Sequence, residues 1–164
     1  MQARLRRVPS TEPLDEAAIE RALDRLRALV KERGLKASAT REAIARAALE
    51  RGGHFSVDDL VADLRTSRSA DAHPATVYRV LPLLVEAGLL QLTLISGREG
   101  ARYERAFERE HHDHLICTSC GKVIEFEVEA IEALQRDVAK KFGFELTGHV
   151  HELLGRCAAC RRSS

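Results

Sequence analysis

His111, His112, Asp113 and His114 stand in an unbroken run that leads directly into Cys117-Thr118-Ser119-Cys120, and Cys157 and Cys160 repeat the Cys-x-x-Cys spacing. All four cysteines of the sequence fall into these two pairs. Each pair can wrap a knuckle around one metal, and two pairs brought together offer four thiolates to the closed tetrahedral geometry of structural zinc. No secretory leader or membrane-length apolar run is read, which predicts a soluble, cytoplasmic chain and argues against a disulfide framework. A redox Cys-x-x-Cys would sit at the strand-to-helix turn of a βαβ unit, and neither pair has that setting.

Four thiolates leave the zinc no vacancy, so the histidine run needs a different role. If residues 111–114 form a strand, alternation sends His111 and Asp113 to one face and His112 and His114 to the other. One short strand can then serve two metal sites. The bland alternative is a solvated polar strand whose histidines only hydrogen-bond. Mixed imidazole and carboxylate donors suit Fe²⁺, Mn²⁺ or Zn²⁺.

The elements that must carry these donors follow from length and pattern. With 164 residues and 45% hydrophobic content, the chain is large enough for one ordinary domain or two small ones. Aromatic residues make up 4% and Trp is absent, which predicts helices cored by Leu, Val and Ala. The net charge is +1, with the excess of Lys and Arg confined to residues 1–103, too small a bias to establish nucleic-acid binding by itself.

Residues 1–13 carry Arg4, Arg6 and Arg7 and two prolines, without periodicity, and read as a flexible basic arm. Apolar residues at Ile19, Leu23, Leu26 and Val30 predict a first helix stopped by Gly34. Ser38 and Thr40 offer caps for a second, with Ile44, Ala47 and Ala48 inward, and Ser56 to Asp59 reads as a capping box for a third that buries Val57, Leu60, Val61 and Leu64. Pro74 starts a fourth helix whose buried stripe is Val77, Val80, Leu81 and Leu84. Its opposite arc presents Ala75, Tyr78, Arg79 and Pro82, the kind of surface a helix-turn-helix offers to the major groove, although an amphipathic surface helix has the same stripe. Strands at 89–95 and 101–104 around the turn at 97–100 complete a winged helix. Beyond it, short strands flank the first cysteine pair, a helix from Glu127 to Phe142 is expected to turn Ile131, Leu134, Val138 and Phe142 inward, and residues 144–151 alternate as a further strand. So small a unit buries little surface, which predicts reliance on zinc and on a symmetric partner subunit. The predicted fold is α+β: a flexible arm (1–13), an N-terminal winged-helix domain (14–100) and a small α/β dimerisation domain with a four-cysteine structural zinc (101–164).

Ala75-Thr76-Val77-Tyr78-Arg79-Val80-Leu81, the His-His-Asp-His-Leu-Ile-Cys-x-x-Cys-Gly-Lys-Val-Ile-Glu-Phe stretch at 111–126, and Cys157-x-x-Cys160 together resemble the ferric uptake regulator family, from about Leu35 to Cys160. The resemblance implies a homodimeric, metal-sensing transcription repressor, not an enzyme, that binds double-stranded operator DNA. It assigns Cys117, Cys120, Cys157 and Cys160 to structural Zn²⁺. It assigns His54, Glu104, His112, His114 and Glu125 to a regulatory site for Fe²⁺, with Mn²⁺ or Zn²⁺ as alternatives, and Glu108 or Glu110 as competitors of Glu104. His111, Asp113, Glu132 and His149 become a second metal site, and Thr76, Tyr78 and Arg79 the DNA-reading residues. His73 and His151 receive no role and read as surface histidines, and Pro82 is a departure expected to kink the recognition helix. Zinc-uptake, manganese-uptake and peroxide-sensing regulators share the pattern, with Glu125 favouring an iron sensor over a peroxide sensor. Outside the regulators, a zinc hydrolase or a metal-buffering protein would use the same donors without contacting DNA.

Overall fold

The computed structural model describes residues 5–8, 13–67, 73–93 and 102–162, and the chain forms two compact units. The helical unit begins with α1 (Glu16–Glu32), where Asp15 accepts a hydrogen bond from the Ala18 N–H at 2.7 Å and Gly34, at φ +65°, ends the run. Ser38 caps α2 (Ala39–Glu50), with the Arg41 N–H donating to its Oγ. In front of α3 (Val57–Ser67) the capping box is reciprocal: the Asp59 N–H donates to Ser56 Oγ, and the Ser56 N–H donates to Asp59 Oδ2. These donors, the Ser56 N–H foremost and its hydroxyl next, hold the Asp59 carboxyl below the usual carboxylate range.

Pro74 opens α4 (Pro74–Glu86), and the expected stripe of Val77, Val80, Leu81 and Leu84 is buried. Pro82 lies inside the helix. The chain leaves it at Gly88, at φ +66°, where an added Cβ would meet the Arg25 guanidinium at 2.9 Å. The wing is β2 (Leu90–Thr93) paired antiparallel with β3 (Arg102–Arg105); the turn expected at 97–100 lies outside the described residues. A bridge between Phe55 and Tyr103 adds the segment before α3 to this sheet. One apolar cluster joins all four helices to the wing through Leu23, Leu26, Ile44, Phe55, Leu60 and Leu84.

The sheet unit contains β4 (Asp113–Cys117), β5 (Val123–Val128), α5 (Glu129–Lys141), β6 (Glu152–Gly155) and the short α6 (Ala158–Arg162). Four strands lie side by side, with β5 antiparallel to β4 and β6 parallel to it. The remaining strand, β1 (Leu5–Arg7), comes from the basic arm and pairs antiparallel with the outer edge of β5. Arg6 donates to Glu127 Oε2 at 2.6 Å, and the Val8 N–H donates to the Glu125 carbonyl at 3.1 Å. Part of the expected flexible arm is therefore ordered, because β5 offers an unpaired edge.

Three other expectations change. The units divide between Glu110 and His111 rather than near Gly100, because β3 is the second strand of the wing. Residues 144–150 form no strand: alternation describes an extended chain, which becomes a strand only with a ladder partner, and β4 pairs instead with β6. Finally, α5 buries none of its residues, so the stripe at Leu134, Val138 and Phe142 faces outward. Among the described residues, no helix is long and apolar enough to cross a membrane.

Replacing Ser56 with Ala removes the cap of α3 and costs about 1 kcal/mol of stability. The same change should raise the Asp59 pKa toward its ordinary value. Because that pKa is depressed in the folded chain, its contribution is present at neutral pH and is lost as pH falls through the depressed value. Urea melts of wild type and S56A at pH 7 and pH 3, with an NMR titration of Asp59, check both.

Candidate metal centres and recognition helix

Parallel pairing of β4 with β6 assembles the cysteines. The ladder sets Cys117 opposite Gly155, the Thr118 N–H donates to the Gly155 carbonyl at 2.8 Å, and the two Cys-x-x-Cys turns leave the strand ends side by side. All four Sγ atoms lie within 4.8 Å of one another, and none is in a disulfide. The first turn closes with the Gly121 N–H on the Cys117 carbonyl, Gly121 taking φ +72°. Backbone N–H groups of Cys157, Cys120 and Ser119 pull the Cys117 thiol down to about 6, whereas the neighbouring thiols of Cys157 and Cys120 push Cys160 up to about 12. Four sulfurs gathered this closely, none of them in a disulfide, fit a structural zinc.

On β4 the expected alternation holds. One face gathers His111, Asp113, Glu132 and His149, whose ligand atoms lie within 4.8 Å. His111 Nε2 is 2.8 Å from His149 Nε2, 3.4 Å from Asp113 Oδ1 and 3.3 Å from Glu132 Oε1. Glu132 comes from the first turn of α5, and His149 from the segment between α5 and β6. Asp113 is 1% exposed, and neither carboxylate oxygen has a hydrogen-bond partner. A buried, unsatisfied carboxylate beside two imidazoles is costly by itself and is the donor chemistry a divalent cation needs. His151, expected at the surface, lies instead with Nδ1 3.1 Å from Asp113 Oδ2.

The other face of β4 carries His112 and His114, with ring centroids 4.9 Å apart. Glu125 directly opposes His114 across the β4–β5 ladder and so shares that face. All three are buried.

The helical unit holds its own pair. The Phe55–Tyr103 bridge aligns the preceding His54 with the following Glu104, and His54 Nε2 lies 3.3 Å from Glu104 Oε2. Glu104 is fully buried, accepts from Gln91 Nε2 at 2.7 Å and pairs with Arg109. Glu108 is turned to Arg21 instead, through contacts of 2.9 to 3.1 Å, so Glu104 is the glutamate placed beside His54. Gln91 could have been found in the sequence, since it faces Glu104 in the wing register. Arg109 had no such signal. On α4, Tyr78 is 58% exposed, Arg79 is exposed and Thr76 is half-buried.

A winged-helix unit joined in one chain to a cysteine-clustered sheet unit rich in imidazole and carboxylate donors defines a class of metal-responsive transcription regulators. The sequence pattern of the Ferric uptake regulator family matches residues 32–154, and this chain belongs to that family, whose members are regulators rather than enzymes. It is 39% identical over 140 residues to the ferric uptake regulation protein of Campylobacter jejuni, covering 84% of this chain and 87% of that one. The Helicobacter pylori protein of the same name is 35% identical over 145 residues, covering 88% and 95%. The solved structure of the Helicobacter pylori regulator, described as revealing three functional metal binding sites, superposes with a TM-score of 0.75 at 34% identity, over 92% of this chain and 97% of that one. A zinc uptake regulator complexed with zinc and DNA superposes with a TM-score of 0.57 at 29% identity, over 88% and 96%.

A zinc held by the cysteine cluster would need thiolates, so protons would compete and its retention should fall as pH is lowered. Replacing Cys160 with Ser should release the zinc to a chromophoric chelator at neutral pH and lower the melting temperature. Unchanged zinc content by elemental analysis would contradict the four-sulfur assignment.

Proposed function

We propose that this chain is a homodimeric repressor that grips operator DNA through Thr76, Tyr78 and Arg79 when Fe²⁺ is held by His54, Glu104, His112, His114 and Glu125. The observation that carries the reading is the division of those donors. His54 and Glu104 meet inside the helical unit, while His112 and His114 lie together and Glu125 faces His114 across the β4–β5 ladder inside the sheet unit. An ion held by both sets would link the two units. His54 and Glu104 then anchor the unit that carries α4, and His112, His114 and Glu125 anchor the unit that carries the dimer contact. In a two-fold dimer this fixes the spacing of two α4 helices against successive major grooves. Cys117, Cys120, Cys157 and Cys160 hold Zn²⁺ permanently, and His111, Asp113, Glu132 and His149 hold a further divalent ion within the sheet unit.

Dimerisation is supported by the apolar surface of the sheet unit. Phe142 and Phe144 are 71% and 74% exposed, and Leu134, Val138 and Val150 join them. A patch of this kind on a regulator calls for a partner, and a second copy is the self-complementary solution. Iron is favoured because the relatives from Campylobacter jejuni and Helicobacter pylori are both ferric uptake regulation proteins. The manganese-bound regulator of Pseudomonas aeruginosa and the zinc uptake regulator show that related folds accept other ions.

Anaerobic binding to an A/T-rich palindromic operator at fixed salt, with Fe²⁺, Mn²⁺ and Zn²⁺ titrated separately into protein that keeps its cysteine zinc, tests the reading. Binding should appear with Fe²⁺ and weaken on replacing Arg79 with Ala, with metal content unchanged. Response to zinc alone would move the chain to zinc regulation, and loss of metal in R79A would contradict the recognition role.

A further inference from the structure

Asp113 has two carboxylate oxygens in different surroundings. Oδ1 looks toward His111 and His149, at 3.4 and 3.8 Å from their Nε2 atoms. Oδ2 looks toward His151, with Nδ1 at 3.1 Å. Both oxygens and His151 Nδ1 are buried and without a hydrogen-bond partner: the pair has the distance of a hydrogen bond but not yet its alignment.

The ring of His151 is held from the sheet. It stands edge-on to Phe126, centroids 6.1 Å apart and planes at 79°. Phe126 directly opposes Asp113 in the β4–β5 register, so the two side chains share a face and the aromatic contact sets the imidazole over the carboxylate. His149 and His151, two apart in the sequence, both reach Asp113, at 3.8 and 3.1 Å. Of the two, only His149 has a ligand atom within the 4.8 Å donor group.

We propose that His151 is a positioning residue of the Asp113 centre. Its Nδ1–H donates to Oδ2 and turns Oδ1 toward the ion shared with His111, Glu132 and His149. A ligating carboxylate whose second oxygen is hydrogen-bonded loses less freedom on binding metal, and loss of such an outer partner typically costs about 10- to 100-fold in metal affinity. The inference rests on the reading of this cluster as a metal centre given under Proposed function, and the experiment separates the two.

The test uses full-length protein that keeps its cysteine zinc, in a H112A background that weakens the regulatory donor set, with Co²⁺ as the probe against a competing chelator. Asp113→Asn should abolish the Co²⁺ signal of this centre. His151→Leu should weaken Co²⁺ binding by about tenfold or more, and His151→Asn, which keeps an N–H near the Nδ1 position, should stay within about threefold of the parent. The imidazole count from X-ray absorption should be the same in parent and H151L. Should H151L lose its cysteine zinc, His151→Ala takes its place in the comparison. Equal affinity in parent and H151L overturns the proposal, and so does an imidazole count that falls by one, which would make His151 a ligand. A parent with no Co²⁺ signal sensitive to D113N overturns the metal centre itself, and the proposal with it.

Discussion

The sheet unit depends on the register of β4. Side chains on a strand alternate, and a slip of one residue would exchange everything on its two faces. Here the register is fixed from both sides: β5 sets Glu125 against His114 and Phe126 against Asp113, while β6 sets Gly155 against Cys117. The same five residues thus send Asp113 to one donor group, His114 to another, and end in a cysteine that meets the second cysteine pair. Three donor sets share one strand, so each ladder bond helps to position all of them.

The helical unit solves a smaller version of the same problem. His54 and Glu104 are distant in sequence, and the isolated bridge between Phe55 and Tyr103 places them side by side. Phe55 is fully buried in the cluster that also holds α3 and α4. The histidine is therefore tied to the same core as the exposed face of Tyr78 and Arg79. Arg109 pairs with the buried Glu104, so the carboxylate is charge-balanced within the helical unit.

Much of this was legible in the sequence because the signals were local. The caps at Ser38 and Ser56, the α4 stripe and the separation of His111 and Asp113 from His112 and His114 all rest on neighbours within a few residues. What escaped depended on distant partners. The short strand at Leu5–Arg7 has no pattern of its own and exists because β5 has a free edge. The alternating residues at 144–150 lack a ladder, and the apolar stripe of α5 has the pattern of a core-facing helix but faces outward. His151 looked idle because nothing near it in the sequence reveals that the packing of Phe126 sets it beside Asp113.

The central claim is that occupancy of the regulatory donors and DNA binding favour the same arrangement of the chain. Linkage then requires reciprocity: operator DNA must tighten the metal by the same factor by which the metal tightens DNA, typically about 5- to 150-fold for a coupling of this kind. The most direct measurement is the affinity for Fe²⁺ under anaerobic conditions, with and without saturating operator. An affinity raised by the factor seen in the DNA titration is the expected result, and an affinity indifferent to operator would contradict the account.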